Sequence, residues 1–411
     1  METLRSGLTR SVVAAIGVLG GACTTGPEPP ESDSVVDSAG IQIVQLEEGA
    51  WDPDGRIELS PDPDVSIGAR EGPDDQILYR VSGGLVLGDG RIAILSRGAR
   101  ELRYFGASGV LEGRQGGDGE GPGEYRLPVG LWSLPGDTLV VWDSRLLRAT
   151  VVSPNAIFTR DIPISGRPRA TEVVGVFADG SFAVFRQRMA EEQQSMDQQF
   201  QGYYSRYSAS GDSLNPLGNF PWMRMITSPP TDGGGGMQAV ASGPPIFDAP
   251  TRVAATARGL WVGTTKKDEL LWISESGTLN RIVRWVGLDR TVTDAVKEAY
   301  YDDLRERMAA NAPPGEAREP PRGRPFAEIL PSHGELVARN DGGLWMKEFL
   351  RPGSDPTNRW MILGPEGFPE GIVNLPFSAD VLWASPEQVL LLEKDEVDVE
   401  YVRLYSFSAG N

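Results

Sequence analysis

The sequence predicts an all-β fold: a six-bladed β-propeller that is closed by N-terminal strands and carries one short inserted helix. The main observation is a recurring phrase, in which a glycine in a turn is followed at once by an apolar run of strand length. Its copies begin at or near Gly90, Gly136, Gly180, Gly259, Gly343 and Gln388. Successive copies lie about 45 residues apart or about twice that distance, and about 45 residues make one four-stranded propeller blade.

A second apolar strand and its turn follow most of the phrases. These second runs are Leu102–Phe105, Ala149–Val152, Tyr203–Tyr207, Leu270–Ile273 and Trp360–Leu363. Short β-rich runs separated by Gly, Asp, Asn and Ser are typical of hairpins. The phrases themselves are apolar throughout, which predicts strands buried on both faces where blades pack together.

The last repeat is incomplete and raises the question of how the ring closes. It supplies only two clear strands, Val389–Leu392 and Tyr401–Tyr405. Ile41–Val44 and Arg56–Leu59 have strand character but no glycine phrase of their own. We predict that these two segments complete the last blade, because closure hides the sheet edges that an open solenoid would expose.

The N-terminal 23 residues have the pattern of an export signal. Arg5 and Arg10 give a basic start, and Ser11–Ala22 is an apolar stretch too short to span a bilayer. Residues 24–40 are rich in Pro, Glu, Ser and Asp, which predicts a flexible tether. The propeller is then expected over 41–411, with insertions near 186–250 and 288–335.

Cys23 ends this signal and is the only cysteine of the chain. The segment resembles a bacterial lipoprotein signal, in which the cysteine becomes the lipidated N-terminus. It departs from that pattern at Gly20, where the family usually has Leu. The resemblance implies a lipid-anchored protein of the bacterial cell envelope, at the outer membrane or facing the periplasm, that contacts the membrane through the lipid alone.

The composition is acidic. The chain has 39 Lys and Arg against 57 Asp and Glu, a formal net charge of -18. Such a surface repels phosphate backbones, so we do not expect nucleic acid as a partner.

A glycine-rich segment, Gly119–Tyr125, is the sharpest local motif, and Pro128 follows it. Together with the repeat it resembles a family of bacterial six-bladed β-propeller lipoproteins, NHL-like in shape, which carry Gly-x-Gly-Pro-Gly-Glu-Tyr after their first hairpin. The resemblance covers Ile41 to Phe407. It implies the fold but little chemistry, because the biochemical role of that family is mostly unassigned.

The same segment supplies two candidate ligand contacts. A phosphate cradle is disfavoured, since no Lys-Ser or Lys-Thr and no helix pattern follow and the nearby carboxylates would repel an anion. A turn between blades is the favoured interpretation, with Glu124 and Tyr125 as candidates at the channel mouth. Trp222, in an apolar cluster of the first insertion, is the third candidate contact.

Histidine is scarce in this chain, whereas carboxylates are plentiful. His333 is the only histidine, and no Gly-x-Ser-x-Gly elbow accompanies it. Asp52–Gly55 and Asp62–Asp64 lack the ligand spacing of an EF-hand. We therefore assign no metal site, no cofactor and no catalytic residue. A calcium ion held in the channel by ligands from separate blades stays open, because sequence spacing cannot reveal such a site.

The second insertion contains the one persuasive helix, about Asp294 to Ala310. Val296, Tyr300, Leu304 and Met308 recur every four residues on one face. We expect the two insertions to lie over one end of the ring and to shape a binding surface; the alternative is that they pack only against blade edges.

The leading interpretation is a monomeric, non-catalytic module that binds a protein or a small-molecule or glycan ligand. The alternatives are a metal-dependent propeller hydrolase or lactonase with a channel carboxylate site, and an envelope scaffold. The enzyme needs acidic or amide side chains that converge in the channel. The binder needs an exposed apolar patch near the insertions, and the scaffold needs a large flat interface.

Overall fold

A computed structural model describes residues 34–46, 55–164, 171–189, 197–227, 242–310, 312 and 319–408. The signal segment with Cys23 and residues 24–33 of the expected tether lie outside these described residues. Asp52 and its neighbours in 47–54 lie outside them as well. Within the described part the fold is mostly β, with one α-helix and several four-stranded antiparallel sheets.

Four short strands come first in the chain. They are β1 (Ser34–Ser38), β2 (Ile41–Gln45), β3 (Arg56–Leu59) and β4 (Val65–Ile67). The first of them lies within the segment that the sequence assigns to the tether.

Six groups of strands follow, each an antiparallel meander. The first three groups are β5 (Val81–Val86), β6 (Ile92–Ser96), β7 (Glu101–Phe105), β8 (Leu111–Gly116); β9 (Pro128–Leu134), β10 (Thr138–Asp143), β11 (Arg148–Val152), β12 (Phe158–Pro163); and β13 (Thr171–Val176), β14 (Phe182–Met189), β15 (Asp197–Tyr207), β16 (Ser213–Thr227) with β17 (Ser242–Gly243). The last three are β18 (Arg252–Ala255), β19 (Gly259–Gly263), β20 (Glu269–Ser274), β21 (Leu279–Arg284); β22 (Leu336–Ala338), β23 (Leu344–Lys347), β24 (Arg359–Leu363), β25 (Pro369–Asn374); and β26 (Asp380–Ala384), β27 (Gln388–Lys394), β28 (Glu400–Ser408). Helix α1 (Asp294–Ala310) lies between β21 and β22.

The repeated phrase forms the second strand of every group. All five residues of β6 and all five of β19 are buried, as expected for a strand covered on both faces. The turns that precede these strands include Gly90, Gly136 and Gly180 at φ of 85°, 80° and 81°, a left-handed conformation that favours glycine. The phrase therefore combines a turn residue with a core strand.

The first strands of the groups contact one another in sequence. β5 contacts β9, β9 contacts β13, β13 contacts β18, β18 contacts β22, β22 contacts β26, and β26 contacts β5. Neighbouring first strands run in the same direction. The Ser82 hydroxyl near the start of β5 donates to the carbonyl of Pro128 at the start of β9, at 2.9 Å. Just beyond the ends of β13 and β18, the Ala178 amide donates to the Ala257 carbonyl at 2.9 Å.

The N-terminal strands pair differently from the sequence prediction. Ile41–Val44 was expected in the last blade, but β2 pairs in parallel with β21 of the fourth group. Val44 there is fully buried in a cluster with Trp261 and Val283, so apolar packing fixes the pairing. Arg56–Leu59 was also assigned to the last blade. This strand, β3, lies between β25 and the end of β28 and joins the last two groups into one sheet.

The fourth strand beside β28 is β4, in which Ile67 pairs with Val402. Ile67 is fully buried with Ile92, Phe105 and Leu390, at the boundary between the last group and the first. The sequence analysis missed this strand because three residues are too few to show a period.

We expect Ile67→Val to lower the free energy of unfolding by about 1 kcal/mol, because it removes one buried methyl group. Equilibrium denaturant unfolding checks this value. Ile157→Val is the matched control, since Ile157 is 62% exposed and should change stability by less than about 0.5 kcal/mol. Equal effects at the two positions would show that β4 does not pack into the core.

Antiparallel meanders with co-directional first strands have two distinct ends. At one end of each group lie the turn that joins the first strand to the second and the turn that joins the third strand to the fourth. We call this end the "turn end". At the opposite end lie the turn that joins the second strand to the third and the connection that leads to the next group. We call this end the "insertion end". There the Ser332 amide donates to the Thr265 carbonyl at 2.7 Å, and the Asn358 side chain donates to the Ala379 carbonyl at 2.8 Å.

Candidate functional site

The glycine-rich segment is a joint between the first two groups of strands. Tyr125 is fully buried, and its hydroxyl donates to the Gln115 side-chain oxygen at 2.5 Å. Burial raises the pKa of this phenol, so it stays protonated as a donor. A Cβ at Gly116, where φ is 116°, would lie 2.6 Å from the Tyr125 ring. The structure thus corrects the expectation that Tyr125 faces the channel mouth: the ring fills the core.

Glu124 also holds its own loop together. Its carboxylate accepts the Gly121 amide at 2.8 Å. The Arg148 guanidinium donates to the carbonyls of Gly121 and Glu124, at 2.6 and 2.7 Å. The favoured interpretation, a shaped turn between blades, agrees with these contacts, whereas a ligand contact by Glu124 stays a prediction.

Tyr125→Phe is expected to lower the free energy of unfolding by about 1 kcal/mol, because the Gln115 oxygen loses its donor. Thermal or urea unfolding gives the value. Tyr79→Phe is the control, since Tyr79 is 56% exposed. A Tyr125→Phe variant as stable as the wild type would refute the structural role of this hydroxyl.

Trp222, the third candidate ligand contact, lies on β16. Its ring packs against Phe185 with centroids 4.5 Å apart and is only partly buried. It belongs to the apolar cluster of the third and fourth groups, whereas Tyr125 belongs to that of the first and second. The structure does not bring the three candidates together.

His333 is buried at the insertion end and is only 1% exposed. Its Nδ1 lies 3.0 Å from the Gly334 carbonyl, and its Nε2 has no hydrogen-bond partner in the described part of the chain. Burial, together with the smaller effect of the nearby cations Arg252 and Arg290, lowers the pKa of this imidazole to about 4. A Cβ at Gly263 would lie 2.2 Å from Nε2, so the absence of a side chain there makes room for the ring.

A cavity of about 540 Å³ lies between the first strands of all six groups. Most of its lining residues have apolar side chains, and its charged residues are Asp137 and Arg339. Both are engaged: the Asp137 carboxylate accepts the Gly88 amide, and Arg339 pairs with Asp341 and Glu370. Among the described residues, no group of three or more His, Cys, Asp or Glu side chains is placed to hold a metal ion.

The two insertions pack against each other at the insertion end. The Ile246 amide donates to the Pro325 carbonyl, and the Ala327 amide donates to the Ile246 carbonyl, both at 2.8 Å. Phe247 of the first insertion contacts a set of aromatic rings around the second: Tyr300, Phe326 and Phe349.

Helix α1 has the predicted bounds. Val296 of the expected face is buried, together with Tyr301, and Tyr300, Leu304 and Met308 are partly buried. Thr293 caps its N-terminus by accepting the Val296 amide at 3.4 Å.

Exposed large apolar side chains concentrate at the insertion end. Ten of the fifteen lie in its connections and turns: Ile77, Tyr79, Leu127, Leu147, Val286, Leu288, Ile329, Leu350, Phe377 and Val397. Leu288 is the most exposed, at 82%. The turn end carries Val110 and Ile157 in its turns. A contiguous exposed apolar patch marks a binding surface more often than singly scattered apolar side chains do. No sequence signal separates these residues from other loop side chains.

Two concave pockets lie among these residues, on either side of the segment around Leu330 and Pro331. One has a volume of about 230 Å³ and includes Lys266 and Asp248, whose charged groups lie 2.9 Å apart. The other, of about 80 Å³, lies next to Leu288.

Comparison with solved structures supports the fold. An exported protein from Bacteroides fragilis has a TM-score of 0.50 and 11% identity, over 90% of this chain and 100% of the other. Virginiamycin B lyase from Staphylococcus aureus has a TM-score of 0.38 and 10% identity, over 82% of each chain. A gluconolactonase from Xanthomonas campestris has a TM-score of 0.39 and 11% identity, over 85% of this chain and 100% of the other.

The match to the exported protein, over nearly the whole of both chains, agrees with the coarser part of the family resemblance, the mostly β fold. No family model matches the chain, and no curated protein matches it. In the described part of the chain, no helix has the length and hydropathy needed to cross a bilayer.

Proposed function

We propose that the chain is a six-bladed β-propeller whose ring is closed between β26 and β5. The cyclic contacts of the six first strands support this architecture, because each blade then packs on two neighbours. In this arrangement β4 is the fourth strand of the last blade. The N-terminal segment thus contributes to closure through β4, which the sequence analysis missed, while β3 pairs with the end of β28 and β2 joins the fourth group instead.

We propose further that the protein is a non-catalytic module that binds a protein partner at its insertion end. The observation that carries this proposal is the concentration of exposed apolar side chains at that end. Burying such side chains against a partner is the main favourable contribution to association. They are spread over connections from several groups of strands, which suits a macromolecule better than a small ligand.

The test is quantitative enrichment of partners from the protein's own cell envelope. Leu288→Glu with Leu350→Glu places charges in the proposed interface, and Val110→Glu with Ile157→Glu is the matched control at the turn end. We expect the first pair to weaken the affinity of the enriched partner at least about ten-fold, in line with the loss of a binding hot spot. Equal binding by both double variants would refute the proposal.

The enzyme alternative makes a different prediction. A hydrolase or lactonase with metal ligands in the channel would be stabilised by Ca²⁺ or by a lactone, because a ligand of the native state raises its stability by mass action. We expect no such shift of the melting temperature. A saturable shift with either compound would favour the enzyme.

We also propose that Cys23 is lipidated and that the protein lies outside the cytoplasm. The basic start, the short apolar stretch and the sole cysteine support this, as does the exported neighbour. Metabolic labelling with palmitate should mark the wild type and not Cys23→Ser. Equal labelling of both would contradict lipidation at this position.

A further inference from the structure

The pocket of about 80 Å³ at the insertion end is lined by apolar side chains, by charged side chains of both signs and by one serine. We call it the socket. Its apolar walls are Trp285, Leu288, Leu330 and Phe349, and Ser332 lies among its lining residues. A single water needs about 10–15 Å³ of such space, so the socket has room for a group of side-chain size.

The charged groups around the socket are already engaged. Asp268 forms an ion pair with Arg290 at 3.2 Å, although its Oδ1 makes no hydrogen bond within the described residues. Glu348 lies 3.5 Å from Arg359. The Asp289 carboxylate accepts the amide and hydroxyl of Thr291. The Arg351 guanidinium donates to the Asp289 carbonyl at 3.0 Å. The charged lining residues carry both signs, three acidic and two basic, so neither sign dominates and an uncharged occupant is favoured.

Ser332 supplies the polar feature. The residue is 8% exposed, and its Oγ has no hydrogen-bond partner among the described residues. A buried hydroxyl without a partner is costly, and an entering group with one hydrogen-bonding atom removes that cost. Its backbone amide is fixed on the Thr265 carbonyl at 2.7 Å, so the side chain starts from a defined position.

We propose that the socket takes a tyrosine side chain of the protein partner, with the phenol hydroxyl bonded to Ser332. This inference rests on the proposed function and names the chemistry of its central contact. A tyrosine ring matches apolar walls, its hydroxyl can donate to or accept from Ser332, and aromatic residues are enriched at interface centres. Val286 and Leu350 extend the apolar surface beyond the socket, as a protein partner requires.

The probe is N-acetyl-tyrosinamide, compared with N-acetyl-phenylalaninamide and N-acetyl-lysinamide by saturation-transfer NMR titration on the full-length protein. We expect saturable binding of the tyrosine probe, about five-fold tighter than that of the phenylalanine probe, since one net hydrogen bond is worth about 1 kcal/mol. The lysine probe should not saturate.

Ser332→Ala should abolish the preference for tyrosine over phenylalanine, and Leu288→Glu should weaken both probes. Ile157→Glu, at the turn end, should leave both unchanged. Equal affinity of the two aromatic probes for the wild type, or a preference that survives Ser332→Ala, would overturn the inference.

The two proposals fail separately. If the probes do not bind but the Leu288→Glu and Leu350→Glu variant still loses the envelope partner, the socket assignment is wrong and the proposed function stands. If the probes bind as expected while the partner remains bound to that variant, the proposed function is wrong and the socket stands.

Discussion

Replacing Asp143 by Ala is expected to lower the free energy of unfolding by about 4 kcal/mol, because a buried network loses its centre. Asp143 lies at the end of β10 and is fully buried. Its carboxylate accepts four backbone amides at 2.7 to 2.9 Å, those of Arg126, Leu127, Arg145 and Leu146. Two of these amides belong to the connection that follows the glycine-rich segment, so the carboxylate holds the joint between two groups of strands.

Chemical unfolding monitored by tryptophan fluorescence measures this effect. Asp143→Asn keeps one acceptor oxygen, so its free energy of unfolding should fall by about half as much as that of Asp143→Ala. Some loss remains because hydrogen bonds to a charged carboxylate are stronger than those to a neutral amide. An Ala variant within about 1 kcal/mol of the wild type would show that these amides find other partners.

Acidification from pH 6.5 to pH 4 is expected to cost about 3 kcal/mol of stability through His333 alone. In the unfolded chain the imidazole titrates with a pKa of 6.5, whereas in the folded protein burial lowers its pKa to about 4. Above pH 6.5 the ring is neutral in both states, and its contribution is fully present. As the pH falls from 6.5 to 4, the imidazole becomes protonated in the unfolded state but stays neutral in the folded state. The free energy of unfolding therefore decreases by about 1.4 kcal/mol per pH unit.

His333→Asn isolates this effect, because His333 is the only histidine and Asn retains a donor for the Gly334 carbonyl. The pH dependence of the unfolding free energy should be shallower in the variant between pH 6.5 and 4, whatever its stability at neutral pH. Identical slopes would show that the imidazole is hydrated in the folded protein.

Features with a long or repeated pattern could be predicted from the sequence. The four-residue period of Val296, Tyr300, Leu304 and Met308 gave the helix with its correct bounds. The glycine phrases gave the second strands, because turn chemistry and burial on both faces act within a few residues. The closing strands are short and gain their stability from distant partners. For that reason Val65–Ile67 was missed and Ile41–Val44 was placed in the wrong group.

The candidate site was less accessible to prediction. Tyrosine is a residue type that often contacts ligands, but Tyr125 is buried because Gln115 and Gly116 of the preceding strand pack against it. The exposure of Leu288 likewise depends on which chain segments cover it, and no local pattern encodes that. The described parts of the two insertions contact each other at Ile246, Pro325 and Ala327, and the position of the whole insertions over one end stays a prediction. Their use as a binding surface stays a proposal.

Site-specific photocrosslinking in living cells tests the central claim most directly. A benzophenone amino acid is placed at Leu288, Leu350 or Phe377 at the insertion end, and at Val110 or Ile157 at the turn end. All five positions are exposed, so the replacements leave the core intact. We predict that the three insertion-end positions yield adducts with one common protein and that the two turn-end positions do not. Adducts that form equally at both ends, or only at the turn end, would contradict the account.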